Sequence, residues 1–174
     1  MDGLKPYILM GTALGVLESL LIPPFLPFRL GLANAATLAA VLLLGTRAGL
    51  YTTVVRTLAV SAITGGLLSL PMFFSLAGGI VSAITMSAVA LLPVSILAVS
   101  ASGGAASMVA QLALFAITGS LSIDTSLVLL PWMSSWGILS GLAVGLIATR
   151  LPCPRAEYPA VSGSLRIDPQ VRIQ

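Results

Sequence analysis

Charged residues are scarce in this sequence. Aspartate, glutamate, lysine and arginine together make up 7% of the 174 residues, whereas 57% are hydrophobic. A soluble domain devotes about a quarter of its residues to charge. A chain with so few charges cannot cover a water-facing surface, so the composition predicts an integral membrane protein.

Histidine is absent, and cysteine occurs once, as Cys153. A single thiol cannot form an internal disulfide. General acid–base catalysis usually draws on histidine or on positioned carboxylates, and only one carboxylate, Glu18, falls within an apolar run. We therefore expect no free-standing enzyme, and the sequence predicts no metal or cofactor site.

Basic residues are few, and they do not alternate with aromatic ones. Four of the eight lie at or after the end of the last apolar run: Arg150, Arg155, Arg166 and Arg172. Nucleic-acid binding needs a clustered basic surface. We therefore expect no nucleic-acid partner.

Six apolar segments follow one another between clusters of proline, glycine and polar residues. They span residues 6–22, 31–45, 47–66, 72–92, 101–119 and 126–149, and a helix that crosses the bilayer needs about 20 residues. Unpaired backbone groups are costly in lipid, and no segment alternates like a barrel strand. The sequence predicts an all-α integral membrane bundle of six transmembrane helices over residues 1–150. A disordered cytoplasmic tail is predicted over 151–174.

The placement of basic residues predicts the orientation of the bundle. Lys5, Arg47 and the arginine-bearing tail place both termini in the cytoplasm. Asp124 then falls outside, and so does Arg29, which departs from the positive-inside pattern. Lys5 and the apolar run after it are similar to a signal peptide, but Glu18 interrupts the run and no small-residue cleavage site follows. We expect this segment to be retained as the first helix.

Small residues recur four apart in two of the predicted helices. Helix one carries Gly11 and Gly15, and helix six carries Gly137, Gly141 and Gly145. Such spacing lets two helix backbones approach closely in a membrane. Two interpretations follow for each stripe: packing within the bundle, or docking of a partner membrane protein.

Two charges, Glu18 and Arg56, lie inside predicted spans. A charged side chain within a span costs roughly 2.5–3.5 kcal/mol on insertion scales, so such groups usually face a cavity or each other. The two meet if helices one and three are neighbours. They then form either a structural ion pair or part of a binding site.

The stretch PFRLGLANAAT, residues 27–37, brings further polar groups to the predicted outer end of helix two. Asn34 and Thr37 are three residues apart and share a helix face, and Arg29 precedes the positive end of the helix dipole. Snorkelling of Arg29 to headgroups, and capping or interhelical hydrogen bonding by Asn34, are the alternatives. Together with Glu18 and Arg56, these residues predict a polar pocket open to the outside.

The same residues carry a resemblance to a known family. The shared pattern is a proline-rich entry, a basic residue, LGLAN, an arginine in the next helix and an SxxGG segment. Here these are Pro27, Arg29, Leu30 to Asn34, Arg56 and Ser75 to Gly79. On these motifs the chain resembles the bacterial heptaprenyl diphosphate synthase component I family, also called the Gx transporter family, over about residues 6–120.

That family is similar to the substrate-binding membrane subunits of energy-coupling-factor transporters. The resemblance implies six helices in the bacterial inner membrane and a ligand pocket near the outer face. It also implies that Gly11 and Gly15 dock a coupling subunit that works with ATPases.

The family name suggests a role in prenyl diphosphate synthesis. Prenyl diphosphate synthases use aspartate-rich motifs that hold magnesium, whereas Asp2, Asp124 and Asp168 lie far apart in this chain. The resemblance therefore implies a membrane partner of a separate prenyltransferase or flavoprotein, and not the catalytic subunit.

Our leading hypothesis is a substrate-binding membrane component of a transporter, with a small organic solute bound from the outer face. The predicted binding residues are Glu18, Arg29, Asn34, Thr37 and Arg56. The alternative is a non-catalytic membrane partner in polyprenyl or quinone synthesis or in extracellular electron transfer.

Overall fold

A computed structural model describes residues 2–21, 31–120 and 122–150. These ranges contain six α-helices and no strand. The helices are α1 (Lys5–Leu21), α2 (Asn34–Leu44), α3 (Thr46–Ile63), α4 (Leu70–Val89), α5 (Ile96–Ile117) and α6 (Ile123–Arg150). The predicted all-α architecture and each of the six predicted helical segments are confirmed, whereas the predicted tail lies outside the described residues.

Three of the helices are long and apolar enough to cross a membrane. They are the segments Leu70–Val89, Ile96–Ile117 and Ile123–Ala148. Within the described ranges α1 has 17 residues, and α2, with 11 residues, extends only about 16 Å at a rise of 1.5 Å per residue. The bilayer core is about 30 Å thick. The helices therefore indicate a membrane protein, and length and composition support three of the six predicted spans.

The short helix α2 lies at the centre of the bundle. All seven residues from Ala35 to Val41 are buried, although an amphipathic surface helix would expose one face. Four neighbours surround it, because α1, α3, α4 and α6 all contact α2. Alanine at four of these seven positions keeps the helix narrow enough for that packing.

The start of α5 differs from the prediction. The sequence predicts the fifth segment from residue 101, but α5 begins at Ile96, where the Ser95 hydroxyl accepts a hydrogen bond from the Ala98 N–H at 3.3 Å. Gly103 and Gly104 are buried inside the helix. The missing side chains at Gly103 and Gly104 allow neighbouring helices to approach α5 closely.

Gly103 faces Met86 and Ser82 of α4, whereas Gly104 faces α6. A Cβ atom built on Gly137 would lie 2.6 Å from the Gly104 carbonyl oxygen, and the Ser100 hydroxyl donates to the Gly141 carbonyl at 2.6 Å. The glycine stripe of α6 therefore packs against α5 within the chain. This is the first of the two interpretations that its spacing allowed.

Candidate functional site

A cavity of about 440 Å³ opens where α1 and α3 end and α2 and α4 begin. Small-molecule sites usually enclose about 300–1,000 Å³. Its polar lining comprises Glu18, Ser19, Asn34, Arg56, Thr57, Ser61, Thr64, Ser69, Ser75, Ser107, Gln111 and Ser140. The chain as a whole is strongly apolar, with a mean hydropathy of +1.09. The polar residues around the cavity therefore stand out from the rest of the bundle.

Arg56 connects α3 to α2 along one side of this cavity. Its side chain is 6% exposed. The guanidinium donates through Nη2 to Asn34 Oδ1 at 2.7 Å and through Nε to Thr37 Oγ1 at 3.2 Å. Thr37 in turn shares a hydrogen bond of 3.0 Å with Thr53 on α3. A buried cation is stable only when its donors find acceptors, and α2 supplies two of them.

Glu18 fixes the turn that leads into α2. Its carboxylate is 5% exposed and accepts a hydrogen bond of 2.8 Å from the Gly31 N–H. Gly31 has φ +67°, a left-handed conformation that favours glycine. The Glu18 charge also attracts Arg56, but within the described residues no ion pair joins the two directly. The acid and the base therefore belong to one network that runs through the start of α2.

Three of the five predicted binding residues line the cavity together: Glu18, Asn34 and Arg56. Thr37 lies behind Arg56, fully buried between α2 and α3. Arg29 lies outside the described residues, so its predicted role stays a prediction.

The two glycines of α1 pack inside the chain. A Cβ on Gly11 would lie 2.9 Å from both Ala36 Cβ and Arg56 Cδ, and a Cβ on Gly15 would lie 2.7 Å from a Val60 methyl group. Both glycines are buried. Contacts with α2 and α3 therefore account for glycine at both positions, and the docking of a coupling subunit at this motif stays a prediction.

Helix α5 contributes a second polar side of the cavity, distant in the sequence from the Arg56–Asn34 side, and this side was not predicted from the sequence. Gln111 Nε2 on α5 donates to Ser107 Oγ at 3.2 Å, and both residues line the cavity. A Cβ on Gly78 would lie 2.7 Å from that Gln111 nitrogen. A signal was available, because Gln111 is the one glutamine before residue 151 and lies four residues after Ser107 in an apolar segment.

The SxxGG segment of α4 lies between the Ser107–Gln111 pair of α5 and the Arg56 side chain of α3. Gly78 faces Gln111 and Ser107, while a Cβ on Gly79 would lie 2.6 Å from Thr53 Cγ2 and 3.8 Å from Arg56 Nη2. Any larger residue at either position would displace one of these side chains. The motif therefore supports the shape of the cavity from α4.

The described residues contain no group of three or more histidine, cysteine, aspartate or glutamate side chains that could hold a metal ion. The polar groups of the cavity are instead hydroxyls, amides, one carboxylate and one guanidinium. Such a set can bind an organic molecule through hydrogen bonds.

A family model described as heptaprenyl diphosphate synthase component I matches residues 7–151. The match extends from α1 to the end of α6. No curated protein and no solved structure matches the chain.

The network makes a prediction about stability. Replacing Arg56 by methionine removes its hydrogen bonds to Asn34 and Thr37 and the one described positive charge of the network that contains Glu18, so we expect Arg56→Met to destabilise the protein by about 3 kcal/mol. Thermal unfolding of the purified protein in detergent measures the loss. The double variant Glu18→Gln/Arg56→Met should recover part of it, because the unpaired carboxylate is removed. If the double variant loses as much as the sum of the two single variants, the two charges are not coupled.

Proposed function

The chain belongs to the heptaprenyl diphosphate synthase component I family, and from that premise we propose that it is a membrane-embedded, substrate-binding component of a transporter. The proposed ligand is a small organic solute that enters the cavity from the outer face. The proposed topology has six spans over residues 1–150 and both termini in the cytoplasm of a bacterial inner membrane, followed by the tail of 151–174.

The observation that carries the proposal is the polar cavity of about 440 Å³ inside an otherwise apolar bundle. A buried polar side chain is costly unless it finds a partner. Packing alone does not require so many hydroxyl and amide groups on the surface of one cavity. A ligand that hydrogen-bonds to them provides the reason for their presence.

The two charged groups support the same reading. Glu18 and Arg56 line the cavity as well as holding the start of α2. Ionisable residues inside membrane segments usually mark a pathway or a binding site for substrate. We propose Glu18, Asn34 and Arg56 as the described part of the binding wall, Thr37 as the residue that positions Arg56, and Arg29 as a further binding residue.

Compounds extracted from the purified protein test this proposal. The wild type should retain a small molecule that mass spectrometry detects after denaturation, and Asn34→Ala and Arg29→Ala should each retain about tenfold less. A hydrogen bond that involves a charged group contributes about 1.5–3 kcal/mol, which corresponds to a loss of that size or more.

Thr118→Ala serves as the control, because Thr118 is exposed and lies outside the cavity. It should retain the wild-type amount. Variants are compared only when they elute as single folded species. Equal retention by the wild type and the Asn34 and Arg29 variants would contradict the assignment of the site.

The family description favours a second candidate. Its words name one component of a synthase. The wide spacing of Asp2, Asp124 and Asp168 supports a separate catalytic chain. In this role the protein would be a non-catalytic membrane partner of a prenyltransferase, or of a flavoprotein in extracellular electron transfer.

Purification from native membranes in mild detergent separates the two candidates. A transporter component should copurify with a membrane coupling subunit and ATPases, in the stoichiometry of a complex. The second candidate predicts a prenyltransferase or a flavoprotein in place of an ATPase.

A further inference from the structure

Gln111 places an amide in an apolar helix. Its helix, α5, is one of the three that are long and apolar enough to cross a membrane, where a polar side chain is costly unless it finds a partner. Gln111 Nε2 donates to Ser107 Oγ at 3.2 Å, which uses one of its two N–H groups. The second N–H and the carbonyl oxygen have no hydrogen-bond partner within the described structure.

A molecule in the cavity can reach this amide. Gln111 is half-buried and lines the cavity. Its unpartnered carbonyl oxygen is accessible, because the polar atoms that are both unpartnered and inaccessible belong to other described residues. Gly78 leaves room for the amide, since a Cβ at that position would lie 2.7 Å from Gln111 Nε2 and 2.8 Å from Ser107 Oγ. The neighbouring residues thus hold the amide at the cavity surface with an acceptor and one further N–H to offer.

The Arg56–Asn34 side of the cavity offers hydrogen-bond donors. Asn34 Oδ1 accepts from Arg56 Nη2, and Arg56 Nε donates to Thr37. The N–H groups of Asn34 Nδ2 and Arg56 Nη1 have no partner within the described structure, and both atoms are accessible for the same reason as the Gln111 oxygen. Both residues line the cavity. They can donate to an acceptor atom of a bound molecule, whatever the charge of that atom.

The two sides are close enough for one small molecule to contact both. A Cβ on Gly78 would lie 2.7 Å from Gln111 Nε2, and a Cβ on Gly79 would lie 3.8 Å from Arg56 Nη2. The Cα atoms of consecutive residues are about 3.8 Å apart, so these two nitrogens are separated by no more than about 13 Å. A hydrogen bond of about 2.9 Å at each end takes up part of that distance. A molecule of one or two rings spans the remainder.

We propose that Gln111 recognises an N–H/C=O edge of the bound solute, while Arg56 and Asn34 donate to an acceptor at its other end. Carboxamides, lactams and imides have such an edge. An amide side chain pairs with a group that offers both a donor and an acceptor, as glutamine does with adenine. The inference rests on the proposed function and specifies the substrate class. Ser107 is then a positioning residue, because it holds the Gln111 amide.

Pairs of compounds that differ only by N-methyl groups test this recognition, because methylation removes the N–H donor. The pairs are nicotinamide and N,N-dimethylnicotinamide, xanthine and caffeine, and uracil and orotate, each with its form methylated at both ring nitrogens. Each compound is titrated against the purified protein, and its affinity is taken from the rise in unfolding temperature. We expect the N–H member of at least one pair to bind about fivefold or more tightly than its methylated counterpart, the equivalent of one hydrogen bond.

Variants of α5 assign the preference to a residue. Gln111→Leu should bind the two members of that pair within about twofold of each other, because leucine offers no hydrogen bond. Gln111→Met keeps the length of the side chain and gives the same test if Gln111→Leu does not elute as a folded species.

The chain offers a matched control for the positioning residue. Ser107→Ala should weaken the preference in part, because the amide is then free to rotate. Ser102 lies on the same helix and donates to the Val99 carbonyl at 2.8 Å, but it does not line the cavity. Ser102→Ala should therefore keep the wild-type preference.

Several results would overturn the inference. Equal affinities of the wild type for both members of every pair would show that the N–H group is not recognised, as would extraction of a solute that has no N–H/C=O edge. A preference retained by both Gln111 variants would remove Gln111 from the site. If no N–H member binds, the inference fails. Recovery of a retained solute by extraction from the wild type would still leave the proposed function standing in each of these cases.

Discussion

One buried guanidinium organises this bundle. Arg56 lies in the apolar interior, where a cation must find acceptors, and it finds them in Asn34 and Thr37 at the start of α2. The neighbouring helices must also leave space for the arginine side chain, and they do so with glycine. Gly11 on α1 touches its stem and Gly79 on α4 approaches its terminal nitrogen. Three helices, α1, α2 and α4, are therefore adjusted to one side chain of α3.

The cavity lies at the start of α2, the same end of the helix that Arg56 binds. The helix α2 has only 11 residues, and its first residue, Asn34, lines the cavity. The turn before it is held by Glu18 through Gly31, and the ends of α1 and α3 and the start of α4 surround the opening. Polar groups collect there because backbone and side chains near a helix start need partners, and a bound solute would complete the set.

The sequence predicted the helices well because proline, glycine and polar clusters interrupt apolar runs at most of their ends. It also placed Glu18, Asn34 and Arg56 in one polar set, because charges in an apolar chain are few and costly. It misplaced the start of α5, because Ser100 to Gly104 has the composition of a loop although Gly103 packs against α4 and Gly104 against α6. Gln111 was missed because helical periodicity does not tell which helices are neighbours, and α5 follows Asn34 only after two further helices.

The central claim is that the cavity between α1, α3, α4 and α5 is a ligand site. An experimental density map of the protein, purified in mild detergent from its own membrane, tests it most directly. The account predicts a compact density inside the cavity, within hydrogen-bonding distance of Gln111 and beside the Arg56–Asn34 contact. A cavity that holds only water or detergent, together with a bound solute elsewhere on the protein, would contradict it.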